Sequence, residues 1–105
     1  MGFRNLPTQT PQPLVGLVEA RAGQVTSRTI TRVGDPLAGT ILAFSAGESV
    51  SEERYPGDTL YYLIEGSATI NGQVMAAGDV LVVPALTEHA VNPDGPAKLL
   101  QLTLQ

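Results

Sequence analysis

Cysteine is absent from all 105 residues, which removes disulfides, thiolate metal sites and cysteine nucleophiles together and makes a reducing cytosol the plain expectation. Charge is scarce as well: only 15% of residues carry one, and six Lys or Arg stand against ten Asp or Glu, for a formal net charge of −4. Phosphate contacts need clustered cations, so no nucleic-acid partner is expected. There is no run of about 18 apolar residues to span a membrane. The opening stretch MGFRNLPTQTPQP has no apolar signal-peptide core, which leaves a soluble, cytoplasmic protein as the expectation. A glycine-rich phosphate loop, a serine elbow and a histidine pair at helical spacing are all missing. Nucleophilic and phosphoryl-transfer chemistry therefore have no support.

What the chain does have is enough apolar material to fold, at 43% hydrophobic residues, and many turn formers, with eleven glycines and eight prolines. A length of 105 residues suits one domain with one core. Short strands between frequent turns point to an all-β fold, a sandwich or a barrel. Residues 1–13, with Pro7, Pro11 and Pro13, read as an extended N-terminal arm, mobile or laid on a neighbouring subunit. Residues 14–105 read as the single domain.

Along that domain the residue types predict strands at 14–19, 24–33, 39–46, 49–55, 59–64, 80–83, 89–91 and 98–104. The run GTILAFSA at 39–46 is continuously apolar but for Thr40 and Ser45, the pattern of a strand covered on both faces. A hairpin is predicted at 67–76, where Asn71-Gly72 is the preferred two-residue loop of a type I′ turn. No helix is predicted.

From Gly47 to Gly66 the chain reads GESVSEERYPGDTLYYLIEG, which resembles the first motif of the cupin superfamily, G(X)5HXH(X)3E(X)6G, in spacing. The motif's two histidines and glutamate fall on Glu53, Tyr55 and Thr59. The second motif, G(X)5PXG(X)2H(X)3N, aligns from Gly78, with Pro84 and His89 in place. Leu86 stands where glycine is usual, and Asn92 comes one residue early. The two motifs cover about half of the chain and imply a cupin, RmlC-like jelly-roll β-barrel.

Residues two apart in a strand share a face, so Glu53 and Tyr55 go together, as do Thr59, Tyr61 and Leu63. The resemblance implies that these faces look into the barrel and that His89 joins them. It also implies the place where cupins commonly hold a divalent metal through three imidazoles and a carboxylate. Here one imidazole is on offer, leaving His89 and Glu53 as candidate ligands for a divalent ion, with a Tyr55 phenolate suited to ferric iron. The metal-free reading uses the same residues: Glu53, Tyr55, Thr59, Tyr61 and His89 as a small-molecule pocket, with His89 and Glu53 the best candidates for acid–base, isomerase-like work. A metal-dependent oxygenase or isomerase with unusual ligands is one alternative. The other is a non-enzymatic sensing or interaction module whose barrel the tyrosines fill. Arg54, Glu52 and Glu48 read as a solvated face. A homodimer is expected, as small cupins usually pair.

Overall fold

The computed structural model describes residues 2–105, apart from the side chains of Val50, Ser51 and Glu52. The solvated-face reading of Glu52 therefore lies outside the described residues. Nine strands follow in order: β1 (Val25–Thr29), β2 (Leu37–Phe44), β3 (Val50–Glu53), β4 (Thr59–Glu65), β5 (Ser67–Ile70), β6 (Gln73–Ala76), β7 (Val80–Val83), β8 (His89–Pro93) and β9 (Ala97–Leu104). They form two antiparallel sheets, one in the order β1-β2-β9-β4-β7 and the other β3-β8-β5-β6. This is the all-β jelly-roll barrel that the two motifs imply.

Alternation along the strands sorts the side chains into two cores. Between the sheets lie Phe44, Tyr61, Leu63, Ala68, Ile70, Met75, Val83, Val91, Ala97 and Leu99. On the outer face of the larger sheet a second cluster gathers Leu17, Val18, Ile30, Ile41 and Ala43, with Leu6, Leu14, Ile64, Leu100 and Leu102 against it. Strand β2 thus feeds one core with Phe44 and Leu42 and the other with Ile41 and Ala43. That is why apolar residues occupy both of its faces from Ile41 to Phe44. Each aliphatic side chain buried this completely contributes about 2 kcal/mol.

The second core needs a cover, and the N-terminal segment supplies it. Leu14–Leu17 form a 3₁₀ turn, where the residue types predict the start of a strand at 14–19. In a 3₁₀ turn residues three apart eclipse one another, so Leu14 and Leu17 both face the sheet. Neighbouring Val18 completes the cover. Ahead of the turn, Arg4 N–H donates to Ile30 O at 2.9 Å and Asn5 Nδ2 donates to Thr29 O at 2.8 Å. Residues 4 and 5 therefore lie against the chain's own β1. Strand β1 ends at Thr29, short of the predicted Val33, and the chain instead turns at Arg32–Asp35, where Arg32 N–H donates to Asp35 Oδ2 at 2.9 Å and Asp35 N–H donates to Arg32 O at 3.1 Å.

Two turns hold the barrel's hairpins. Asn71 and Gly72 have φ of 48° and 79°, the left-handed pair a type I′ turn requires. Asn71 also receives Ala90 N–H on Oδ1 and donates to Glu88 O, both at 2.8 Å, so the β5–β6 turn is tied to the start of β8. Gly66 sits at φ 85° between β4 and β5, and a Cβ there would meet Pro96 O at 2.5 Å. No other residue fits that place. Among the described residues no helix is long and apolar enough to cross a membrane.

Candidate functional site

The candidate residues come from four strands and one loop. Strand β4 supplies Thr59 and Tyr61 on its inward row, both essentially buried. Strand β8 supplies His89, which is 3% exposed, and Glu53 at the end of β3 is its direct partner across the sheet. Tyr55 follows in the loop after β3 and is half-buried, while Glu53 is exposed. Strand β9 adds Gln101 and Thr103, which lie opposite Tyr61 and Thr59.

These groups interlock. The Tyr61 hydroxyl lies 2.8 Å from His89 Nδ1. The Tyr55 hydroxyl donates to a Glu53 carboxylate oxygen and also meets the Gln101 side chain. The Tyr55 ring meets the imidazole edge-on, with centroids 4.9 Å apart. Thr59 and Thr103 bond to one another at 2.9 Å, so the Thr59 hydroxyl already has a partner inside the barrel. Of the residues singled out from the motifs, Glu53, Tyr55 and Tyr61 adjoin His89, while Thr59 is bonded to Thr103.

One atom in this network has no partner: His89 Nε2 is buried and makes no hydrogen bond to the protein. Buried polar atoms are nearly always bonded, and an exception calls for a water, an ion or a ligand. The electrostatics favour an uncharged imidazole. Burial lowers the His89 pKa from its ordinary 6.5, with the Glu53 charge pulling the other way. Burial also raises the Tyr61 pKa well above the ordinary 10.0, helped by Tyr55 and Glu53, so its phenol stays protonated. The Tyr55 phenol is held up in the same sense by burial and by its bond to Glu53.

The donor set does not suit the metal that cupins commonly hold. Among the described residues no group of three or more His, Cys, Asp or Glu is placed to hold an ion. Here one imidazole and one carboxylate stand beside two phenols whose pKa values are raised. A phenol must lose its proton to serve as a ligand, and this site favours the protonated form.

Gln101 and Thr103 are the residues that sequence reasoning missed. Their signal was in the run KLLQLTL, where polar residues two apart break an otherwise apolar strand. That spacing puts them on one face, the face shared with Leu99 in the core between the sheets.

Such a barrel, with a polar cluster on the inward rows of its strands, defines a cupin. Among solved structures, a cupin superfamily protein from Desulfitobacterium hafniense is 43% identical, with a TM-score of 0.90 over 97% of this chain and 96% of that one. The chain belongs to the cupin superfamily. A conserved protein of unknown function from Streptococcus pyogenes is 23% identical, with a TM-score of 0.89 over 100% of this chain and 95% of that one. A cupin 2 conserved barrel domain protein from Leptotrichia buccalis is 27% identical, with a TM-score of 0.74 over 88% of this chain and 46% of that one. No family model and no curated protein matches.

Proposed function

We propose that this cupin binds a small polar molecule between Glu53, Tyr55, Tyr61 and His89, without the metal usual in its family. The observation that carries this reading is the unpartnered Nε2 of a histidine buried at the centre of the cluster. A neutral imidazole and an exposed carboxylate, each bonded to a tyrosine hydroxyl, are polar groups of the kind that orient a ligand. The Glu53 carboxylate can take a proton from a ligand that His89 holds by a hydrogen bond, the kind of step an acid–base isomerase needs.

The test is a thermal-shift screen of small polar compounds, repeated with His89→Ala. At least one compound class raises the wild-type melting temperature, and the variant loses the response. If no class stabilises the wild type, the tyrosines fill the barrel and the non-enzymatic module is the better reading. Elemental analysis of protein expressed with added iron, manganese and zinc separates the metal alternative: a stoichiometric ion would establish it.

A homodimer is part of the same proposal. On the outer face of the larger sheet Val80, Val82 and Leu104 are 60%, 52% and 56% exposed. Leu37, Leu60 and Leu102 continue the patch. A contiguous apolar face of this kind marks an interaction surface, and a second copy would bury it symmetrically. Light scattering should give a dimer mass, and Val82→Glu should give a monomer.

A further inference from the structure

The ligand's chemistry follows from the proton on His89. Buried Tyr61 has one hydrogen-bond partner, Nδ1 of His89. If Nδ1 carried the proton and donated it to Tyr61, the phenol's own proton would have no acceptor. The Nε2 lone pair would also be unmet. If Tyr61 donates to Nδ1 instead, the imidazole proton sits on Nε2 and only one donor is left open. A buried polar group left without a partner is costly, so the arrangement with fewer orphans prevails.

His89 therefore offers a donor N–H where a metal would need a lone pair. Its neighbour Glu53 offers a charged acceptor, already holding Tyr55. Two of the cations are already paired: Arg54 bonds to Glu88 at 2.7 Å, and Lys98 lies 3.8 Å from Glu65 and donates to Val15 O. Arg28 donates to Asn5 O, and Arg4, Arg21 and Arg32 belong to the N-terminal third of the chain. An anionic ligand would meet the Glu53 carboxylate, while the Arg54 guanidinium beside it in the chain is already paired with Glu88.

Resting on the binding site proposed above, we infer that Tyr61 fixes His89 as an Nε2–H donor and that the pocket takes an uncharged carbonyl compound in preference to a carboxylate. The carbonyl oxygen accepts from Nε2–H, and an adjacent hydroxyl or amide N–H donates to Glu53. Tyr61 acts here as a positioning residue, through His89.

Two measurements on the full chain test this. Nitrogen-15 NMR of the histidine side chain reports the protonated nitrogen directly: Nε2 is expected in the wild type, with Tyr61→Phe moving toward a mixture of tautomers. A proton on Nδ1 in the wild type would overturn the inference whatever binds. The second is a titration with matched pairs, glycolamide against glycolate and lactamide against lactate, followed by shifts of the His89 resonances. The amides should bind at least tenfold more tightly, and Glu53→Gln should narrow that ratio. Carboxylates binding as well as the amides, or a ratio unchanged in Glu53→Gln, would sink the inference and leave the binding site standing. Shifts from neither member, with Nε2 protonated, would remove the binding site as well.

Discussion

The Tyr61 hydroxyl on β4 lies 2.8 Å from Nδ1 of His89 on β8, joining the two sheets across the barrel interior. Neither side chain has another hydrogen bond to the protein. The bond both anchors the only histidine of the chain and leaves its far nitrogen open.

Removing that hydroxyl strands a buried imidazole nitrogen. Tyr61→Phe should lose about 1–3 kcal/mol of folding stability, read as a lower urea midpoint at unchanged slope. An unaltered midpoint would mean that the pair contributes nothing.

Acid should weaken the fold through His89. Its pKa is lowered in the folded protein, so the unfolded chain binds more protons as pH drops below the ordinary 6.5, and stability falls until the folded pKa is passed. Above 6.5 this contribution is complete. In urea titrations His89→Gln should flatten the dependence in that window, leaving the carboxylates to act at lower pH. On the alkaline side the raised Tyr61 pKa has the mirrored effect, with stability lost as pH rises past 10.0. Tyr61→Phe should remove that loss.

Leu86 occupies the motif's glycine position and keeps glycine's backbone, with φ of 63°. Its side chain is 70% exposed, and its N–H holds Tyr55 O at 2.8 Å. The left-handed conformation costs a side chain about 1–2 kcal/mol, against about 0.5–1 kcal/mol of added chain entropy for glycine. Leu86→Gly should therefore raise stability slightly, by up to about 1 kcal/mol. A clear drop in melting temperature would show that the leucine side chain has a packing role.

Gly57 has no room for a side chain. A Cβ there would come within 1.9 Å of Leu104 O, and backbone on both sides must move to admit it. Gly57→Ala should cost about 3 kcal/mol, whereas Gly47→Asn, at φ 85° with open space around it, should cost well under 1 kcal/mol, since asparagine tolerates the left-handed region. Equal melting temperatures for the two variants would refute the clash.

The buried Thr59–Thr103 pair gives a cycle. Thr103→Val alone leaves the Thr59 hydroxyl unmet and should cost about 1–3 kcal/mol, while Val at both positions should recover much of that loss. A double variant as weak as the sum of the singles would place the hydroxyls in separate roles.

The all-β fold is legible in the residue pattern, and the two motif spacings narrow it to a barrel. Turn chemistry and alternation are local, so Asn71-Gly72, the largely apolar run of β2 and the two motif spacings could be read without coordinates. The residue pattern went astray at Leu14–Leu17, because a strand former there also satisfies the outer core from a 3₁₀ turn, and only packing against Ile41 and Ala43 chooses between them. The candidate site was partly legible, since the motifs lined up Glu53, Tyr55, Thr59, Tyr61 and His89. Gln101 and Thr103 escaped because nothing local says which strand faces which across a barrel.

What the tertiary structure decided was the pairing of the polar groups. Thr59 looks available in the sequence and is taken by Thr103, 44 residues away. His89 looks like the last survivor of a metal site, and the Tyr61 hydroxyl, 28 residues upstream, makes it a hydrogen-bond donor. Strand periodicity fixes which side chains point inward, but a hydrogen bond depends on distances of a few tenths of an ångström between residues far apart in the chain, and those are set only when the sheets close.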